Sequence, residues 1–111
     1  MKYKRTGVVK SSELSEISIP GFTRKGILLR ADAGWRYPIP IGKKIMLMLP
    51  DGSSYYPKVT SGEIMTTDPA IVIELIPEIN NEVPKGSKVY VNNDDTESAK
   101  TLAFLNKRHR T

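Results

Sequence analysis

The sequence predicts a mostly β fold: a small, partly open β-barrel of about six or seven strands in two pseudo-symmetric halves, with one C-terminal helix. Three observations predict it. Asp51-Gly52 lies between two strand-like runs, residues 45–49 and 55–59, and Gly accepts the positive φ of a tight hairpin at no steric cost. Short apolar runs recur along the chain between breaks rich in Pro and Gly. Finally, the chain echoes itself at a distance of 44 residues.

The echo lays residues 23–51 on residues 67–95 without a gap. Six of these 29 pairs are identical: Thr23/Thr67, Ile27/Ile71, Pro40/Pro84, Gly42/Gly86, Lys44/Lys88 and Asp51/Asp95. Five more exchange one aliphatic for another: Leu28/Val72, Leu29/Ile73, Ile39/Val83, Ile45/Val89 and Leu47/Val91. Ordinary residue frequencies would give roughly two identities. Two copies at so long a period fit a duplicated half-domain, since a solenoid needs about three repeats to bury a core.

The elements follow in order. Residues 3–9 read as a first edge strand, guarded by lysines, or as a basic arm. Ser11-Ser12 is expected to break it. Residues 13–19 read as a short strand or a single turn, ended by Pro20-Gly21. Residues 22–25 are a basic loop or a strand start. Residues 26–31 form a buried strand by length and apolar content. Asp32-Ala33-Gly34 is a turn, and Pro38 and Pro40 keep the next segment extended. The hairpin follows. Its second arm puts Tyr55 and Tyr56 on opposite faces, so one of them is exposed. Residues 63–67 read as a short strand. The β-branched run 70–76 is a strand ended by Pro77. Residues 87–91 alternate polar and apolar as a last strand. Asp94 and Glu97 resemble a capping pair, and Ala99, Leu102 and Ala103 share a face, which predicts a helix over 95–106.

At 111 residues the chain is one domain, residues 1–106, with a basic tail at 107–111. Cysteine is absent, which rules out disulfides and thiolate chemistry and fits a reducing, cytoplasmic location. No apolar run approaches the roughly 18 residues of a membrane span, and the basic N-terminus lacks a signal-like apolar core. The net charge of +5 is unevenly laid out. Residues 1–30 carry seven basic and two acidic side chains, whereas residues 63–99 carry two and eight. A basic first half and an acidic second half suggest an anionic partner for the first, and also permit self-association.

The chemistry-bearing residues point to binding rather than catalysis. Arg24, Lys25, Trp35, Arg36, Lys43, Lys44, Tyr55, Tyr56 and Lys58 interleave cations with aromatic rings, and Lys107, Arg108 and Arg110 join them from the tail. Such mixtures bind single-stranded nucleic acid, the cations tracking phosphates and the rings stacking bases. Trp35 and one tyrosine suit the core better than a stacking platform, because a small barrel needs large side chains inside. His109, the only histidine, lies among cations with no acid near it in sequence. Ser53 and Ser54 sit in a turn with no histidine or lysine partner in view, so they read as turn residues. The acidic residues lack calcium-loop spacing, and there is no Gly-rich phosphate loop or zinc spacing. No metal or cofactor is expected. The sequence thus predicts a non-catalytic nucleic-acid-binding module. The alternative is a protein-interaction or assembly subunit that uses its acidic half. A continuous exposed basic patch of Arg24, Arg36, Lys43 and Lys44 would favour the first, and joint exposure of apolar groups such as Met46, Met48 or Ile79 would favour the second.

Overall fold

The computed structural model describes residues 2–63, 67–94 and 101–102. Among the described residues nine strands follow in chain order: β1 (Tyr3–Ile19), β2 (Phe22–Asp32), β3 (Ile39–Pro40), β4 (Met46–Met48), β5 (Ser54–Tyr55), β6 (Val59–Glu63), β7 (Ala70–Ile73), β8 (Lys88–Asn92) and β9 (Thr101–Leu102). Seven form one antiparallel sheet in the order β5-β4-β8-β1-β2-β7-β6. Among the described residues no helix is long and apolar enough to cross a membrane.

β1 is central to the sheet, not an edge strand. Its first half pairs with β8, from Tyr3 opposite Asn92 to Val8 opposite Lys88. Its length from Val8 onward pairs with β2. Ser11-Ser12 does not break it: the register slips between Val9 and Ser11, and the strand continues as a bulge. The reason is tertiary. The backbone of residues 11–19 finds its partners in β2, so local serine preferences do not decide. Pro20-Gly21 closes a two-residue hairpin loop, with φ 81° at Gly21 as a type II turn requires.

The hairpin at Asp51-Gly52 is formed, with Leu47 opposite Tyr55 and Met48 opposite Ser54. Ile45, Leu47 and Leu49 are buried, while Met46 and Met48 are only half covered. The helix expected over 95–106 is corrected where it can be seen. Thr101 and Leu102 pair as a strand with Pro40 and Ile39. Helical propensity is a weak preference, and a backbone ladder to another segment overrides it here. The remainder of that span, and residues 107–111, lie outside the described residues.

The expected barrel does not close as a continuous ladder, because the sheet ends at β5 and β6. Its two ends are nevertheless tied. Lys44 and Lys58 form an isolated antiparallel bridge, and Ile45 N–H donates to the Pro57 carbonyl at 3.0 Å. Val59 N–H donates to Lys43 O at 3.0 Å, and Gly42 N–H donates to Val59 O at 2.8 Å. The same exchange occurs elsewhere: Val9 N–H donates to Ser87 O at 2.8 Å, and Gly86 N–H donates to Val9 O at 2.9 Å. Gly42 and Gly86, 44 residues apart, hold φ of 84° and 94°, which suits Gly alone at low cost. The ladders carry the same offset. Leu28 lies opposite Val72, and Met46 opposite Tyr90.

One core fills the curl of the sheet. It contains both members of five echo pairs: Ile27/Ile71, Leu29/Ile73, Ile39/Val83, Ile45/Val89 and Leu47/Val91. The sixth aliphatic pair, Leu28 and Val72, joins Ala70 in a small separate cluster. Alternation along β2 and β7 places the two clusters on opposite faces of the sheet.

Gly26 marks the place where the β1–β2 hairpin leaves the sheet. A Cβ there would lie 2.7 Å from the Ile73 carbonyl oxygen and 2.7 Å from Val72 Cγ1. Because a backbone atom must move, Gly26→Ala should cost about 1–3 kcal/mol. Urea denaturation would check this against Gly21→Ala, a position with no atom within 4 Å of the added Cβ but with a positive φ.

Candidate functional site

The part of the molecule that its core does not explain is the distal β1–β2 hairpin. β8 accompanies β1 only as far as Val8, and β7 accompanies β2 only from Ile27 to Arg30. Among the described residues, therefore, no further strand pairs with residues 13–19 or 22–26. This arm is a two-stranded ribbon, and it carries four of the exposed large hydrophobic side chains: Leu14 at 67%, Ile17 at 52%, Ile19 at 57% and Phe22 at 47%.

Antiparallel register sorts these residues by face. Ile19 lies opposite Phe22, and Ile17 opposite Arg24, so these four share one face. The Arg24 guanidinium stands over the Phe22 ring, 5.5 Å from its centroid. Leu14 is on the other face with Glu16 and Lys25, which lie opposite each other, and with Ser18 and Thr23, whose hydroxyls are 3.2 Å apart. The two strands differ in charge. In the arm β1 carries Glu13 and Glu16, and β2 carries Arg24 and Lys25.

The residues expected to bind nucleic acid fall on different elements. Arg24 and Lys25 are on the arm. Lys43, Lys44 and Lys58 meet at the seam between the sheet ends, all exposed. Lys58 N–H also donates to a Glu74 carboxylate oxygen at 2.8 Å. Tyr56 is exposed near this seam, its hydroxyl 3.5 Å from the Met46 sulfur. Tyr55 packs partly against the core, so the two tyrosines do take opposite faces. Arg36 is exposed on the segment after β2, anchored by its N–H to the Thr6 carbonyl at 2.7 Å. Trp35 is half-buried against the core. Its ring covers Gly7, where a Cβ would sit 2.8 Å from Cε3, and its indole N–H donates to Pro69 O at 3.1 Å. Lys107, Arg108 and Arg110 are outside the described residues. One ring–cation contact escaped sequence reasoning: Lys4 lies 4.2 Å from the Tyr37 ring centroid.

Two small cavities occupy corresponding places on the curled sheet and differ in charge. One, of about 230 Å³, is lined by Arg5, Asp32 and Arg36 among others. The second, of about 180 Å³, is lined by Tyr55, Tyr56, Glu74 and Glu78 among others. A larger one of about 550 Å³ lies at the base of the arm, between Ser12 and the segment of Ile79, Glu82 and Val83. The Asp51 loop is a turn in its chemistry as well as its shape. Ser53 donates to Asp51 Oδ1 twice, from its hydroxyl at 2.6 Å and its N–H at 2.9 Å. These hydrogen bonds, the hydroxyl's foremost, hold the Asp51 carboxyl below the usual carboxylate range.

No protein-family model, curated protein or solved structure matches the chain.

Two outcomes follow from this geometry. Like charges directly opposite on paired strands are unfavourable, so Lys44→Glu should raise stability by about 0.2–1 kcal/mol, with a gain that shrinks in salt. Thermal melts at low and high salt would measure it. In Ser53→Ala the Asp51 carboxyl should titrate at higher pH, as read by carboxyl-carbon NMR. The sign follows from linkage. A carboxyl held below its unfolded value contributes stability above that value and loses it as pH falls through the folded one.

Proposed function

We propose that the chain is a non-catalytic interaction module that assembles by presenting the β1–β2 arm to a protein partner. The observation that carries this reading is the set of exposed Leu14, Ile17, Ile19 and Phe22 on a ribbon with no third strand among the described residues. A two-stranded hairpin is at best marginally stable in water. Covering a side chain such as Ile17 or Phe22 would contribute about 1.5–3 kcal/mol each. Strand addition to an open sheet edge is a general mode of protein recognition, with backbone hydrogen bonds supplying affinity and alternate side chains supplying specificity. In the same reading the curled sheet is a partly open barrel of two related halves, working in the cytoplasm. Its rigid core serves as the mount for the arm.

Nucleic-acid binding is the second reading, and one observation favours it. Lys44 and Lys58 face each other across the seam with Lys43 and exposed Tyr56 nearby. An anion placed there would relieve the repulsion, and a base could stack on the ring.

A photoreactive phenylalanine analogue in place of Phe22 tests the first reading in cells producing the chain. Discrete adducts with polypeptide, abolished by Ile17→Glu, are expected. A complete lack of polypeptide adducts would sink the reading. Titration of fluorescent oligonucleotides at about 50 and 200 mM salt tests the second, since phosphate contacts weaken steeply with salt.

A further inference from the structure

We infer that the partner of the arm is a second copy of this chain, joined head to tail. The residue 13–19 edge of one arm adds as a third strand to the residue 22–26 edge of the next. This rests on the reading of the arm as an interaction surface. The two edges of a single arm have opposite charge: Glu13 and Glu16 lie on one, Arg24 and Lys25 on the other. Each edge therefore complements the opposite edge of an identical molecule.

Charge also selects the symmetry. In a two-fold contact, the β1 edge would meet its own copy and gather four carboxylates with no cation. A two-fold contact through the β2 edge would gather four cations. Both are disfavoured, since like charges on paired strands repel. In the head-to-tail contact the arms point the same way, and β2 of one runs antiparallel to β1 of the next. Repeating the register found inside the arm sets Glu16 opposite Lys25 of the neighbour and Ile19 opposite its Phe22. The alternation of faces is then conserved from copy to copy. The patch of Ile17, Ile19 and Phe22 on one copy then continues into the same patch on the next as one apolar band. The β1 edge lacks two of the usual guards of an edge strand. Residues 13–19 contain no Pro or Lys, and three of these seven side chains are apolar. A head-to-tail contact leaves one free edge at each end, so growth continues past the dimer until a ring closes or a filament forms.

Sedimentation velocity over about a hundredfold concentration range tests this, because mass action makes self-association concentration-dependent. Wild-type protein is expected to pass from monomer to species beyond the dimer. Two variants give each arm edges of one sign: E13K/E16K makes both basic, and R24E/K25E makes both acidic. Each alone should associate at least about tenfold more weakly than wild type, while an equimolar mixture should regain wild-type association because the edges again alternate. Recovery on mixing also shows that both variants are folded. Wild type that stays monomeric throughout, or variants that each associate as wild type does, would overturn the inference. If Phe22 cross-links only to a different polypeptide, the self-partner is wrong but the interaction reading stands. If it cross-links to no polypeptide, both fail.

Discussion

The curl of the sheet depends on two matching sets of backbone hydrogen bonds. Val9 exchanges one pair with Gly86 and Ser87, and Val59 exchanges another with Gly42 and Lys43. Both valines are fully buried, so these polar groups would be costly to leave unpaired. Each set follows a Pro-x-Gly entry in which the glycine holds a left-handed φ. At Val59 the exchange ties one end of the ladder to the segment leading into β4. At Val9 it leads from the entry into the β1–β8 ladder. Without them the apolar faces of β2, β4, β7 and β8 would lie on an open ribbon, with no common interior to fill.

This arrangement explains how a chain of this size can carry an arm. The core gathers side chains from nearly every strand, and five of the six aliphatic echo pairs contribute both members to it. β1 pairs with β8 along its first residues, passes to β2 at Val8, and continues past the packed sheet for the rest of its length. The arm is thus rooted in the core, where Ile27 and Leu29 of β2 are fully buried. Gly26, pressed against the Ile73 carbonyl, is the hinge line between packed sheet and bare ribbon. A rigid mount bearing an apolar ribbon is a sound way to present a strand edge, because less ordering is left to occur on binding.

Charge is organised on two scales. Along the chain the first half is basic and the second acidic. In the fold this appears as two corresponding cavities, one with Arg5 and Arg36 and the other with Glu74 and Glu78. Within the arm the same contrast recurs between neighbouring strands, where it bears on which edges can meet. The ion pairs of Arg30 with Glu63 and Asp68, and of Lys10 with Asp68, are surface contacts of small energetic weight.

The sequence by itself determined the β character, the Asp51-Gly52 hairpin, the opposite faces of Tyr55 and Tyr56, and the buried strand at residues 26–31. These are legible because turn chemistry and alternation are local, and because the offset of 44 picks out residues that must be buried together. Tertiary structure decided the rest. Lys10 and Ser11 became a bulge within one long strand, and Thr101 became strand instead of helix, because backbone groups pair with whichever segment the fold brings beside them. The basic residues scattered over arm, seam and loop for the same reason: spacing in sequence does not set spacing across a curled sheet. The arm itself was half visible. Pro20-Gly21 lies between Ile19 and Phe22 and signals a turn, but only the start of β8 at Lys88 and the end of β7 at Ile73 leave that hairpin uncovered among the described residues. Exposure is a property of what fails to pack against a segment, and no segment carries that in its own residues.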